Sequence, residues 1–181
     1  MERESDEALM LRIAKGDERA FRLLAARYAV RAAGLARRIT GNPADAEEIV
    51  QEALLRVWVN APRWRPQAAF RTWFYRIVFH LCLNRKRRVP FFPLEAAGDP
   101  PDPTPDARAQ MEKDETSRRV AAAVAELPER QRAAIVLTYD DELSNVDAAG
   151  ILGSSVSAFE ALLVRAKRQL REKLGSILEE N

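Results

Sequence analysis

Asp45-Ala46-Glu47-Glu48-Ile49-Val50-Gln51-Glu52-Ala53-Leu54-Leu55-Arg56-Val57-Trp58 is the stretch whose reading decides the fold. Ile49, Ala53, Leu54, Val57 and Trp58 recur at helical spacing and form one apolar face. Asp45, Glu48, Gln51, Glu52 and Arg56 fall on another face, which is polar and mostly acidic. Gly41-Asn42-Pro43 just upstream reads as a helix stop followed by a start, with Asn42 as N-cap and Pro43 at the first helical position. Asp45, Glu47 and Glu48 in the first turn suit the helix dipole.

The same period continues outward. Phe21, Leu24, Tyr28, Leu35 and Ile39 make an apolar stripe on a helix from about Asp17 to Ile39, with a short helix over Asp6 to Ala14 before it. Downstream, Pro62 and Pro66 interrupt the chain, so 61–69 reads as a loop. A third long helix is expected from Phe70 to about Arg87. Phe70, Trp73, Phe74, Ile77 and Leu81 form its core stripe, and Arg76, His80, Asn84 and Arg87 share another face.

Charge is segregated along the 181 residues despite a net charge of only +2. From Ala53 to Leu94 there are nine basic residues and no acid, together with all three tryptophans. Basic groups suit phosphates, and aromatic rings suit unstacked bases. A solvated basic face over an aromatic core fits the same composition. Residues 89–113 are rich in proline and acid and read as an extended linker. The expected fold is therefore all-α, with two small helical domains, 1–88 and 114–181, joined by that Pro-rich linker.

In the second half, helices are expected over 114–126 and from Pro128 to Tyr139, with Ile135, Val136 and Tyr139 as apolar positions. Asp140-Asp141-Glu142 reads as a polar turn. Ser144 caps a short helix from Asn145 to Leu152, Gly153 ends it, and Ser155 caps a final helix of about 18 residues. A short helix, a glycine turn and a longer, partly basic helix form a helix-turn-helix pattern. Other helical hairpins share that pattern.

Several function classes fall away. The single Cys82 excludes an internal disulfide and a cysteine-cluster zinc site. The single His80 disfavours a histidine-based triad or metal centre, and the seven glycines make neither common nucleotide-binding loop. No metal, cofactor or catalytic activity is expected. No run resembles a membrane span or secretory leader, so the expectation is a cytoplasmic protein without membrane insertion.

The stretch 45–58, then Phe70-Arg71-Thr72-Trp73-Phe74-Tyr75-Arg76-Ile77, Leu127-Pro128-Glu129-Arg130-Gln131-Arg132 and the blocks 143–153, 155–156 and 165–170 resemble, in order, the motifs of bacterial sigma-70 factors. The length matches the two-domain, extracytoplasmic-function (ECF) group. The resemblance implies that the first domain binds core RNA polymerase and melts the promoter at its −10 element, while the second reads the −35 element as duplex. It implies docking of Asp45, Glu48, Gln51, Glu52, Leu55 and Arg56 on the β′ coiled coil of the polymerase, and engagement of the β flap. It implies capture of a flipped −10 base by the loop Arg63 to Ala69. Trp64 and Gln67 are placed to stack and hydrogen-bond, with Arg63, Arg65, Phe70, Arg71, Arg76, His80, Asn84 and Arg87 around them. The −35 residues would be Ser155, Ser157, Ala158, Glu160, Ala161, Arg165 and Arg168.

An anti-sigma factor is an implied partner, and the free protein is expected to be a monomer. One departure stands out. Where the family's recognition helix often carries basic and hydroxyl side chains, this chain has Glu160, Ala161 and Leu162. Glu160 suits a cytosine amino group and Ala161 a thymine methyl, although Glu160 also fits a surface salt bridge. The alternative reading is a stand-alone helix-turn-helix regulator. It would normally dimerise on a palindrome, and the long linker and acidic face argue against it.

Overall fold

The computed structural model describes residues 4–67, 69–88, 107–139 and 143–178. Among them are eight α-helices and one 3-10 turn, and no strand. The helices are α1 (Asp6–Ile13), α2 (Glu18–Thr40), α3 (Pro43–Asn60), α4 (Phe70–Arg88), α5 (Ala107–Ala125), α6 (Glu129–Tyr139), α7 (Asn145–Leu152) and α8 (Val156–Leu178).

Local chemistry sets the boundaries. Asp17 caps α2 by accepting from the backbone N–H groups of Arg19 and Ala20. The Ala20 N–H, then the Arg12 guanidinium, hold its carboxyl below the usual range. Gly41, at φ 76°, closes α2 in the left-handed conformation that glycine adopts without a Cβ clash. The Asn42 side chain then accepts from Ala44 N and Asp45 N to start α3. Ser144 accepts from Asp147 N to start α7, and Gly153, at φ 61°, ends it. Ser155 accepts from Ala158 N to start α8.

The first half packs α1, α2, α3 and α4 around Leu9, Leu24, Leu35, Ile39, Ala53, Val57, Phe70, Phe74 and Val78, all buried. Each large side chain here contributes about 1.5–3 kcal/mol by leaving water. Tyr28 stands edge-on to Phe70 at 5.2 Å and to Phe74 at 5.7 Å, tying α2 to α4. Burial, reinforced by its hydrogen bond to Asp6, raises the Tyr28 phenol far above its ordinary ionisation. The second half packs α6, α7 and α8 around Leu137, Ile151, Phe159 and Ala166.

The two halves touch. α4 packs against α7, and α2 against α6. The Thr72 hydroxyl donates to Asp147 Oδ1 at 3.2 Å. Arg132 is only 4% exposed, and its hydrogen-bond partners among the described residues are backbone carbonyls. Its guanidinium donates to the carbonyl oxygens of Val124, Ala125 and Leu127 around the end of α5, and at 2.8 Å to that of Ile39 in the last turn of α2. Carbonyls in a last helical turn lack partners within the helix, and a cation suits that end of the dipole.

Four sequence expectations change. Residues 107–113, read as extended linker, belong to α5. After Pro105 the run Ala107-Arg108-Ala109-Gln110-Met111-Glu112-Lys113 holds only good helix formers, and their propensity outweighs the linker-like composition before it. The rest of that segment, 89–106, lies outside the described residues, as does the turn expected at 140–142. Residues 61–63, within the expected loop, form the 3-10 turn. On α4 the buried set is Phe70, Phe74, Tyr75, Val78, Phe79 and Cys82, while Trp73, Ile77 and Leu81 are half-buried. The helix is enclosed by α2, α3 and α7, so more than one stripe is covered. Finally, Tyr139 is 57% exposed, and Lys167 lies 5.4 Å above its ring.

Candidate nucleic-acid and partner interfaces

Where α3 ends, Asn60 and the 3-10 turn redirect the chain, and the segment after it folds back over the start of α4. This leaves a cleft of about 600 Å³ lined by Arg56, Asn60, Arg63, Trp64, Arg65, Gln67, Thr72, Trp73, Arg76, Ile77 and Gly150. Trp64 is half-buried, its ring 6.5 Å from Phe70 and 6.3 Å from Trp73. Arg65 folds back to donate to the Trp64 carbonyl oxygen at 2.9 Å. Four guanidinium groups around two indole rings make a surface suited to a phosphate and a stacked ring together.

Arg63, Trp64, Arg65, Gln67 and Arg76 thus come together as the sequence suggested. Phe70 does not join them. It is 1% exposed and stacked on Phe74 at 5.8 Å, a core side chain that no strand can reach in the folded state. Arg71 points away, its guanidinium 5.9 Å from the Tyr75 ring centre, into a separate hollow with Arg27, Tyr28 and Arg31. His80 and Asn84 are exposed further along α4. Burial, with the nearby positive charges of Arg76 and Arg130, pushes the His80 imidazolium below its usual ionisation. The Arg87 side chain lies outside the described residues. Sequence reasoning missed Thr72, Trp73 and Gly150. Trp73 looked like core because it keeps the helical stripe, and Gly150 arrives from the other half of the molecule.

On α3 the acidic face is already paired. Arg85 reaches Asp45 Oδ1 at 2.8 Å and Glu48 Oε2 at 2.6 Å, and these contacts raise its own ionisation. Arg56 holds Glu52 at 2.8 Å. Asp45 is the most enclosed of the set, with 19% of its side chain exposed. It braces α3 against α4 rather than standing free. Gln51 and Leu55 are exposed, Leu55 at 56%. Between α3 and α4 a hollow of about 390 Å³ combines Glu48, Glu52, Asn84 and Arg85 over Ile49 and Leu81.

On α8, Ser155, Ser157, Ala158, Glu160, Arg165 and Arg168 are exposed and Ala161 is half-buried. Glu160 accepts from the Asn145 side chain at 3.2 Å, so it links α8 to α7. Arg168 pairs loosely with Glu172 at 3.8 Å. Phe159 is fully buried beneath this face.

The two segments of chain that carry these faces match known families. Residues 24–89 match the model for sigma-70 region 2, and 117–170 that for sigma-70 region 4. RNA polymerase sigma factor CnrH of Cupriavidus metallidurans is 33% identical, over 97% of this chain and 95% of its own. The chain belongs to the sigma-70 family, in its ECF group. A second relative, ECF RNA polymerase sigma factor SigM of Mycobacterium tuberculosis (strain H37Rv), is 34% identical over 94% of this chain and 85% of its own. Among solved structures, CnrH in complex with the cytosolic domain of CnrY is similar at a TM-score of 0.72 and 28% identity, over 96% of this chain and 99% of that one. The protein is thus an alternative sigma factor, a transcription initiation factor. Among the described residues no single helix is long and apolar enough to cross a membrane.

Proposed function

We propose that this sigma factor recruits core RNA polymerase through α3, captures melted −10 DNA in the cleft beside α4, and reads the −35 element as duplex with α8. The observation that carries the reading is the cleft itself: four arginines and two tryptophans around about 600 Å³. A base leaving the duplex loses a few kcal/mol of stacking, and a ring pocket returns about 1–3 kcal/mol per base. Trp64 and Trp73 offer ring faces and edges, Gln67 and Asn60 offer hydrogen bonds, and the arginines hold the backbone.

On this reading residues 1–88 form the polymerase-binding, −10 domain and the second domain extends to 181, with its helical part beginning at Ala107 rather than 114. Glu48, Gln51, Glu52 and Leu55 meet the β′ coiled coil. Arg165 and Arg168 hold phosphates, while Ser157, Glu160 and Ala161 face bases. CnrH is seen with CnrY; by analogy an anti-sigma protein controls this chain. Purified core polymerase and a randomised promoter library test the reading directly. Transcription should depend on the added protein and select two separated elements. Core-dependent transcription without such selection would refute it.

A further inference from the structure

Glu160 is an exposed acid on the helix face proposed to meet DNA, and its own helix offers it no cation. Three and four positions away on α8 stand Val156, Ser157, Leu163 and Val164. A carboxylate there repels each phosphate that approaches. It lowers affinity for duplex in general and rewards only a sequence that gives it a donor.

Its partner lies across the turn. Asn145 Nδ2 donates to Glu160 Oε1 at 3.2 Å. A carboxylate only accepts, so the amide must turn its NH2 group toward it; the flipped amide would set two oxygens face to face. Asn145 is the first residue of α7 and Glu160 the fifth of α8. The two helices meet at a bend of 95°, inside the range of about 90–120° for a helix-turn-helix. In such units the N-terminal residues of the second helix reach base edges while the first helix crosses the backbone. Both ends of the bond stand on fixed ground. Ser144 accepts from Asp147 N at 3.1 Å at the start of α7. Ser155 accepts from Ala158 N at 3.2 Å at the start of α8, and Phe159, beside Glu160 in the chain, is fully buried.

We infer that Asn145 is a positioning residue for −35 specificity: it engages one oxygen of Glu160 and thereby aims the other at a cytosine amino group in the major groove. The inference rests on the reading of α8 as the −35 helix. Glutamate is a flexible side chain, and ordering it before DNA arrives removes that cost from binding. The chemistry selects the base. Guanine and thymine present acceptors on their major-groove edges, from which a carboxylate oxygen can receive nothing. Adenine and cytosine both present an amino group, but adenine's stands beside its own N7 acceptor, which repels the oxygen. Cytosine has no such acceptor on that edge.

The test uses holoenzyme reconstituted from the full chain and bacterial core polymerase, transcribing a library randomised across both promoter elements. The parent should prefer cytosine at one −35 position by about tenfold, and Glu160→Ala should abolish that preference. Asn145→Ala should cut it to about threefold or less, with the other −35 positions and the −10 selection unchanged. Asn145→Asp keeps the size of the side chain but cannot donate, and should abolish the preference. Any uniform loss of affinity from the added charge cancels in the ratio between bases. In a Glu160→Ala chain, Asn145→Ala should change nothing further, because Asn145 acts only through that carboxylate.

Full cytosine preference in both Asn145 variants overturns the positioning role. So does a loss spread evenly over all −35 positions, which would make Asn145 a structural residue only. A Glu160-dependent preference for another base overturns the cytosine assignment. If Glu160→Ala alters no −35 position, Glu160 reads no base and the inference falls, while −35 reading by the rest of α8 stands. If the library selects no −35 element at all, the reading of α8 itself fails.

Discussion

The guanidinium of Arg132, in the second half of the molecule, donates at 2.8 Å to the carbonyl oxygen of Ile39, in the first. The same group satisfies three carbonyls around the end of α5, and burial depresses its ionisation. Removing it leaves several buried acceptors without donors at about 1–3 kcal/mol each. Arg132→Met should therefore lower stability by about 3 kcal/mol, or about 6–12 °C in Tm for a chain of this size. Thermal unfolding followed by circular dichroism checks this. A drop under about 2 °C would mean that water replaces the guanidinium without loss.

The proposed docking face on α3 yields a sharper substitution than the sequence alone suggests. Replacing Asp45 together with its neighbours would also release Arg85 and loosen α3 from α4. Glu48→Ala, Gln51→Ala and Glu52→Ala together leave Asp45 in place and should weaken core polymerase binding by at least about tenfold, about 1.4 kcal/mol. Affinity by fluorescence anisotropy, with helix content measured alongside, decides it. Unchanged affinity removes these residues from the interface.

Trp64 is half-buried against Phe70 and Trp73, so Trp64→Ala removes packing as well as a stacking surface. Trp64→Phe keeps most of the packing. Permanganate reactivity of −10 thymines should fall strongly with alanine and only modestly with phenylalanine, while −35 binding stays unchanged. Equal loss of both activities would make Trp64 a structural residue only.

On α8, Glu160→Ala should relax preference at one −35 base pair by about 1–3 kcal/mol if the carboxylate reads a base. If its bond to Asn145 is its whole role, stability changes and base preference does not. Arg165→Ala should weaken all sequences alike and reduce the salt slope by about one.

His80 gives a pH dependence whose sign is fixed by its surroundings. Burial, Arg76 and Arg130 hold its ionisation below the ordinary 6.5. The unfolded chain then takes up the proton more readily than the folded one. The contribution from neutral His80 is present above 6.5 and is lost as pH falls toward the folded value. His80→Gln should narrow the fall in Tm between about pH 7.5 and about pH 5.5. An identical fall in both proteins would rule out His80 as its source.

The helices and their caps were legible because their signals are local. Asn42-Pro43, Ser144, Gly153 and Ser155 act within one turn of themselves. The cleft was half legible. Basic and aromatic residues in 63–76 announced it, but periodicity cannot tell an aromatic at the rim, Trp73, from one in the core, Phe70. Gly150 and Thr72 were beyond reach, because they meet only after two segments 78 positions apart have packed. The early start of α5 was missed because proline composition was averaged past the last proline that acts.

The bridge from Arg85 to Asp45 and Glu48 bears on how a partner would engage α3. A cation arriving from outside finds these carboxylates already satisfied, so docking becomes an exchange of ion pairs and not the formation of new ones. Such an exchange changes the number of bound counterions little. Association through this face should therefore vary weakly with ionic strength, in contrast to the steep salt dependence expected of DNA binding in the arginine-lined cleft, where each phosphate neutralised by an arginine would release condensed ions. The two faces of one small bundle would then answer differently to the same change in salt.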